Sequence, residues 1–379
     1  MKKILIIAGE ASGDLHGANL AQELKKRDDS LEFYGVGSKR LREAGVRLLA
    51  DASEISVVGA TEVLKHISPI YRVYSTLKRF LRDERPTLVI LIDFPDFNIR
   101  IGKAARKLGI PVVYYISPQV WAWRKGRIKT IASLVRSMIV IFPFEVDLYR
   151  KAGVDVHFVG HPLTDVVQSR YNQAEAKRQF GLDPSKRTIA LLPGSRIREI
   201  ESLLPGMLEA ASLLMARFPD LQFILPVAPT LTREYIRSFV SRSPVPIMVA
   251  DGRVYDALRA STAALVASGT ATLETGLMAV PMVIIYRISG LSYLIGKLIV
   301  RVDHVGLVNI VAGKRVVPEL IQDDATPAKM AEALAAFLTD RDYYTKVQEE
   351  LAGIRSQLGD TGANARAASA VLDIMKDIR

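Results

Sequence analysis

The sequence predicts an α/β protein of two parallel-sheet domains facing each other across a cleft. Three observations predict it. Short apolar runs of strand length alternate with helical patterns, which is how a parallel sheet covered on both faces reads. The alternation occurs twice, broken near residue 161 by HPLTDVVQSRYNQAEAKRQFGLDPSKR, a linker with one helix. At 379 residues the chain exceeds one core, so two domains of roughly 150 to 200 residues are expected.

In the first series the strand candidates are KILIIAG, LEFYGVG, Thr87 to Asp93, IPVVYYIS, SMIVIFPF and VHFVG, with helices at Ala18 to Lys26 and Ile99 to Leu108. The second series runs RTIALLPGSR, a helix from about Glu199 to Phe218, LQFILPVA, a helix through Tyr235 to Val240, PIMVAD, a helix ending near Ser261, AALVASGTATLE and PMVIIY. The stretch from Pro327 to Arg379 is mostly helical. We place the domains at 1–165 and 186–345, with a helical tail at 346–379 packing back toward the first. Ligands of parallel sheets bind beyond the carboxyl ends of strands, so the informative residues are those just after each strand.

Composition narrows the class. With 49% hydrophobic and 24% charged residues the chain is a folded globular protein. MKKILIIAGEASGD has the lysines and apolar run of an export signal, but Gly9, Glu10 and Asp14 interrupt it at once and a buried first strand explains it better. No uncharged run reaches the length of a spanning helix. The absence of cysteine removes disulfides, thiolate metal sites and a catalytic thiol, and suits a cytoplasmic address. Of the net +11, residues 1–160 hold most, with 26 Lys and Arg against 17 Asp and Glu. Nine cations and no carboxylate lie between Asp96 and Glu145. Such a field attracts a phosphate-bearing or membrane-borne anion. Nucleic acid is not expected, because no groove-reading helix or RNA-binding module is present.

LLPGSRIREI follows a strand and enters a helix. Gly194 and Ser195 offer backbone amides at the helix start, and Arg196 can grip a phosphate through two hydrogen bonds. ASGTATLE repeats the device: Ser268, Gly269, Thr270 and Thr272 can hold a diphosphate, and Glu274 can accept from ribose hydroxyls. The alternatives are a structural turn at 194–196 and Thr270 as a plain helix cap. Two such sites in one domain favour a nucleotide diphosphate. Neither is a Walker loop, and the dinucleotide fingerprint is missing, since 9–13 reads GEASG.

On the acceptor side, GEASGD ends the first strand with Glu10, Ser12, Gly13 and Asp14, and His16 follows. A carboxylate here can bind sugar hydroxyls or cap the loop. LIDFPDFN places Asp93 after four apolar residues, where partial burial raises a carboxyl toward usefulness as a general base; the alternative is a buried structural carboxylate paired with a loop amide. Asp96 and Asn98 are expected to orient that loop. Trp121 and Trp123 stand beside Arg124 and Lys125, as a sugar-phosphate site or as core filling. From Val63 to Arg82 an apolar stripe mixes with five cations and no carboxylate, so its outer side suits an anionic bilayer, acyl chains or plain solvent. The five histidines show no ligand spacing, so no metal site and no cofactor are expected.

Assembled, GEASGD, IDFPDFN, SPQVWAW, FPFE, FVGHP, LPGSR, ASGTATLE and VNIVAGKRVVPELIQ, in order along the chain, resemble the lipid-A-disaccharide synthase family. LPGSR or SGTATLE alone fits several sugar-nucleotide enzymes; the set with SPQVWAW is specific. The resemblance implies a GT-B fold of two Rossmann-like domains, acceptor in the first and donor in the second. It implies UDP-2,3-diacylglucosamine as donor and 2,3-diacylglucosamine 1-phosphate as acceptor, joined β(1→6) with inversion. It also implies catalytic importance for Asp93 and Arg196, and a donor-side place for Glu274, Asn309 and Glu319. Val308 departs from the family, which often has proline there. The enzyme is then expected at the cytoplasmic face of the inner membrane, peripherally bound; a homodimer is left open. Rival readings are a related enzyme on UDP-N-acetylglucosamine, either a polyprenyl-acceptor transferase or an epimerase, and a non-catalytic sugar-nucleotide or nucleic-acid binding protein.

Overall fold

A computed structural model describes residues 2–55, 60–119, 126–287 and 303–378. The chain forms two compact units, residues 1–162 with 359–379, and residues 163–358.

The first unit is built on seven parallel strands: β1 Lys2–Ala8, β2 Leu31–Gly37, β3 Arg47–Asp51, β4 Leu88–Ile92, β5 Val112–Tyr115, β6 Ser137–Val140 and β7 Asp155–Phe158. Their order in the sheet is β3-β2-β1-β4-β5-β6-β7. From β1 the chain works outward to β3, then crosses back to lay β4 on the other side of β1. The order therefore reverses between β1 and β4, which pair in register from Ile4 with Leu88 to Ala8 with Ile92. Ile4 to Ala8 and Leu88 to Ile92 are buried throughout. Such continuous apolar runs are the mark of central strands covered on both faces, where truncating one Leu or Ile to Ala costs about 2–5 kcal/mol. The covering helices include α1 Ala11–Arg27, α2 Lys39–Glu43, α3 Ala60–Asp83 and α4 Pro95–Lys107. The C-terminal helix Ala363–Lys376 packs on α1 in this unit, burying Ala367, Ala368, Val371 and Ile374.

The second unit holds six parallel strands: β8 Arg187–Leu192, β9 Leu221–Val227, β10 Ile247–Asp251, β11 Ala263–Ala267, β12 Met282–Tyr286 and β13 Glu319–Ile321. The order is β10-β9-β8-β11-β12-β13, with its reversal between β8 and β11. Both units thus have a topological switch point between a first strand and one that returns to its far side, the place where doubly wound sheets bind ligands.

Three features differ from the sequence expectation. β3 and β13, which were not read as strands, are the outer strands of their sheets; paired and covered on one side only, β3 is half-exposed and lacks a continuous apolar run. Helix α1 begins at Ala11, so Ser12, Gly13 and Asp14 lie in its first turn and not in a loop. The expected boundary at 345/346 falls inside the helix Arg341–Gln357, whose buried Val347, Leu351 and Ile354 keep it in the second unit; the division lies at Leu358 and Gly359. Likewise 163–165, assigned to the first domain, belong to the second unit.

Candidate functional sites at the two switch points

At the first switch point the turn after β4 carries Asp93. Asp93 and Phe94 both take left-handed conformations, with φ of 43° and 47°. Neither residue is glycine, and such backbone costs about 1–3 kcal/mol per residue unless its surroundings hold it. They do. The Asp93 carbonyl accepts from Asn98 Nδ2 at 2.8 Å and from Tyr114 Oη at 2.5 Å, and the Asp93 N–H donates to the Ile116 carbonyl at 3.2 Å. Phe94 lies over Gly9, where a Cβ would stand 2.3 Å from the ring, so only glycine lets the two turns meet. Asn98 is wholly buried and also donates to the Ile92 carbonyl, as expected of a loop-orienting residue. Asp96 instead points outward to pair with Arg127.

This backbone leaves the Asp93 carboxylate half-buried. Burial pushes its carboxyl up to about 6; the nearby charge of Glu10 adds to this and a hydrogen bond from the Phe94 backbone opposes it. Glu10, the residue before α1, is exposed and caps nothing with its side chain. His16 is held neutral by burial, down to about 4, and its Nδ1 has no hydrogen-bond partner. Burial, and then the nearby His16, likewise push His161 down to about 3.

Asp14, expected among the acceptor contacts, has a different task. It is buried, and its carboxylate accepts from the backbone of Ser38 at 2.6 Å, Arg40 at 3.0 Å and Leu41 at 3.4 Å. It fastens the start of α2 and has little capacity left for a sugar. Gly13 is buried against Ala8 and Ile92, whereas Ser12 is exposed. Trp121, Trp123 and Arg124 lie outside the described residues.

At the second switch point a pocket of about 480 Å³ is lined by the turns after β8, β9, β10 and β11. It gathers Gly194, Ser195, Arg196, Ser268, Gly269, Thr270 and Glu274, as the sequence motifs suggest. Gly194 and Gly269 take φ of 113° and 146°, conformations that bring the backbone to the pocket and that side chains resist. Arg196 is exposed, its guanidinium 3.3 Å from Glu199. The expected unpaired amides at this helix start are in fact held: Glu199 accepts from Ser195 N at 2.8 Å and Arg196 N at 3.2 Å. The amides of this turn thus face a carboxylate of the chain itself. Glu274 accepts from Tyr255 Oη at 2.9 Å, and burial raises its pKa. Sequence reasoning missed Tyr255 and Arg253, since the turn after β10 has no phosphate motif. Arg253 sits at φ 48° with its guanidinium 4.4 Å from the Phe180 ring centroid.

Three expected donor contacts hold the pocket's frame instead. Thr272 is buried and gives its hydroxyl to the Gly269 carbonyl at 2.8 Å. Asn309 is wholly buried, donating to the Val317 carbonyl and Glu319 and accepting from the amides of Val316 and Val317. Glu319 accepts from the amides of Val305 and Gly306 at 3.0 Å each. Val305 in turn accepts from the Ser268 hydroxyl at 2.8 Å, so the Asn309–Glu319 network reaches the pocket through one bonded loop. Their polar atoms are spent on backbone and on each other, which is what allows them to be buried.

A family model described as lipid-A-disaccharide synthetase matches residues 4–374. The lipid-A-disaccharide synthase of Geobacter metallireducens is 51% identical over 374 residues, covering 99% of this chain and 97% of that protein. That of Syntrophus aciditrophicus is 51% identical over 376 residues, covering 99% and 98%. Among solved structures, the glycosyltransferase of kitacinnamycin aligns with a TM-score of 0.67 at 16% identity, covering 98% of each chain. The UDP-N-acetylglucosamine 2-epimerase of Neisseria meningitidis, solved with UDP-N-acetylglucosamine, aligns with a TM-score of 0.64 at 13% identity, covering 99% of this chain and 100% of that one. The structural likenesses establish the GT-B architecture and the sequence matches establish the rest: this chain is a glycosyl-transferring enzyme and belongs to the lipid-A-disaccharide synthase family.

Proposed function

We propose that the enzyme transfers 2,3-diacylglucosamine from UDP-2,3-diacylglucosamine to the 6-hydroxyl of 2,3-diacylglucosamine 1-phosphate in one inverting displacement. The products are the β(1→6) disaccharide 1-phosphate and UDP. The observation that carries this reading is the Asp93 carboxyl, raised to about 6 on a turn that the fold holds in a costly conformation. A carboxylate with that affinity for protons is ionised at neutral pH, yet basic enough to take the proton of the attacking hydroxyl, an effect worth about 10²–10⁴ in rate.

In the displacement the C6 oxygen bonds to the anomeric carbon while the bond to the β-oxygen of the diphosphate breaks. Asp93 receives the hydroxyl proton and later returns it to water. The leaving diphosphate is already acidic, so no second carboxylate has to protonate it. Its charge is met by Arg196 and by the turns at Gly194 and Gly269. A diphosphate at the first of these turns competes with Glu199 for the same amides, and Arg196, exposed and one residue along, is placed to follow the anion. Glu274 accepts from a ribose hydroxyl, with Tyr255 fixing its second oxygen. Asn309 and Glu319 act by holding the 303–307 loop against Ser268. Glu10 and Ser12 are the remaining acceptor candidates on the first unit. Acyl chains on both substrates imply work at the inner-membrane surface, and among the described residues no helix is long and apolar enough to cross it.

The test is detergent-supported turnover of the purified enzyme with both acylated substrates, following lipid and UDP by mass spectrometry. Disaccharide 1-phosphate formed one-for-one with UDP supports the proposal. Turnover of UDP-N-acetylglucosamine in place of the acylated donor refutes it.

A further inference from the structure

The pocket at the second switch point is lined by a carboxylate, Glu199, where the proposed function brings an anion. Glu199 lies in the first turn of the helix Ile197–Arg217 and folds back over Gly194, filling the space that a side chain there would need. From that place it accepts from the Ser195 and Arg196 amides at 2.8 and 3.2 Å. It is not locked in. Its side chain stays 31% exposed, and the Arg196 guanidinium that meets it at 3.3 Å is itself 78% exposed, an ion pair of the kind that contributes little. Burial, and then the charge of Glu199, push the hydroxyl of Tyr286 at the end of β12 upward, while Arg196 opposes, so these side chains lie within electrostatic reach of one another. A Glu199 that leaves the amides has Arg196 and Tyr286 to turn to.

The turn keeps its shape by other means. The Thr230 hydroxyl donates to the Ser195 carbonyl at 2.6 Å, and because a peptide unit is planar and trans, fixing that carbonyl also aims the Arg196 N–H at its opposite end. The positive φ of Gly194 sets the turn from the other side. Glu199 is therefore an occupant of these amides and not their prop. The helix dipole favours an acid in a first turn, but an uncharged Ser, Thr or Asn can satisfy such amides as well. What a carboxylate adds is its charge, which has the same sign as a diphosphate and seeks the same two donors.

We infer that Glu199 is a built-in competitor for the diphosphate: it holds the 194–196 turn until the donor displaces it, and by returning to the amides it speeds the release of UDP. The inference rests on the donor site proposed above and names the residue that sets how tightly that site keeps its product. Once the bond to the anomeric carbon breaks, the diphosphate carries a charge that the donor lacks, since a terminal phosphate with a second pKa of about 6 is mostly doubly ionised at neutral pH. Repulsion from Glu199 therefore weighs more on UDP than on the intact donor, which is the direction that turnover requires. A competitor present on the turn in about nine molecules of ten lowers apparent affinity about tenfold.

The experiment is calorimetric titration of UDP into the full-length protein and into Glu199→Gln and Glu199→Ala, with thermal melting of each to confirm that it is folded. The expected result is UDP binding about tenfold tighter in both variants, although each has lost an acid from a first helical turn and melts no later than the parent. In turnover the inhibition constant of UDP should fall about tenfold and the donor KM only about two- to threefold. UDP is the probe whichever UDP-sugar is the donor, so failure of the proposed substrates leaves the calorimetric result intact. A parent protein that binds no UDP would overturn the donor site and this inference together. Unchanged or weaker UDP binding in both folded variants would make Glu199 a plain helix cap and overturn the inference alone, as would an equal gain for UDP and donor.

Discussion

The two units solve one geometric problem with different chemistry. Each reverses its strand order next to its first strand, and each places a turn there that the ordinary backbone regions do not allow. After β4 the turn is made by Asp93 and Phe94, non-glycine residues held left-handed by Asn98, Tyr114 and the fit of Phe94 over Gly9. After β8 and β11 the turns are made by Gly194 and Gly269, which bear no side chain. The difference teaches what each turn is for. On the proposed function, a residue that must present a carboxylate accepts backbone strain to do so, while a turn meant to bring backbone close to a diphosphate drops its side chain.

The largest effect should follow from removing the carboxylate to which the proposed function gives the role of base. In Asp93→Asn kcat should fall by about 10²–10⁴, while UDP affinity, measured calorimetrically, stays unchanged. A parallel loss of UDP affinity would break the assignment of separate tasks to the two turns.

Next is the converse change in the second unit. Gly194→Ala places a Cβ 2.2 Å from Glu199 Oε2 at a φ of 113°, and should cost about 1–3 kcal/mol of stability in denaturant titration. UDP affinity should drop at least about tenfold, the equivalent of 1.4 kcal/mol.

The pH profile sharpens the comparison without a mutation. With Asp93 raised to about 6, kcat/KM should fall tenfold per pH unit below about 6, as the base becomes protonated. Stability moves the other way. The folded state holds this proton up to about 6 and the unfolded state only to about 4, so ionisation of Asp93 lowers stability as pH rises through that window. Asp93→Asn should therefore melt later than the parent at pH 8, by on the order of 1–2 kcal/mol after solvent screening, with the gap closing toward pH 4. A gap that is the same at both pH values would remove the burial argument.

The smallest effects concern the partners of each carboxylate. Glu10→Gln removes a negative charge near Asp93 and should move the acid limb of kcat/KM to lower pH by a fraction of a unit. Tyr255→Phe removes the hydrogen bond to Glu274 and should raise the donor KM about five- to tenfold, near 1 kcal/mol, with kcat little changed.

Much of the site was legible because strand-end motifs state their own position. Asp93 follows a run of buried apolar residues, and LPGSR and SGTATLE pair a strand end with a glycine turn; all three stand at switch points. The tasks of the other polar residues were not legible. Asp14, Thr272, Asn309 and Glu319 sit in or near the same motifs as the pocket-lining residues, yet their polar atoms are consumed by backbone groups: of its own turn for Thr272, and of other segments for the rest, 24 residues away for Asp14 and Ser38. Tyr255 was invisible for the opposite reason, since it enters the pocket from a turn without any motif.

By itself the sequence determined the class of fold, the doubled series of strands, the carboxylate at the end of β4 and the uneven charge, because apolar period and residue identity are local properties. Tertiary structure alone decided the rest. It pinned the Ser195 carbonyl to Thr230, raised the Asp93 carboxyl by burying it, and divided polar residues into those that hold the frame and those left to a ligand. Each of these depends on what stands across from a residue in space, and desolvation and hydrogen bonding act over a few ångströms whatever the distance along the chain.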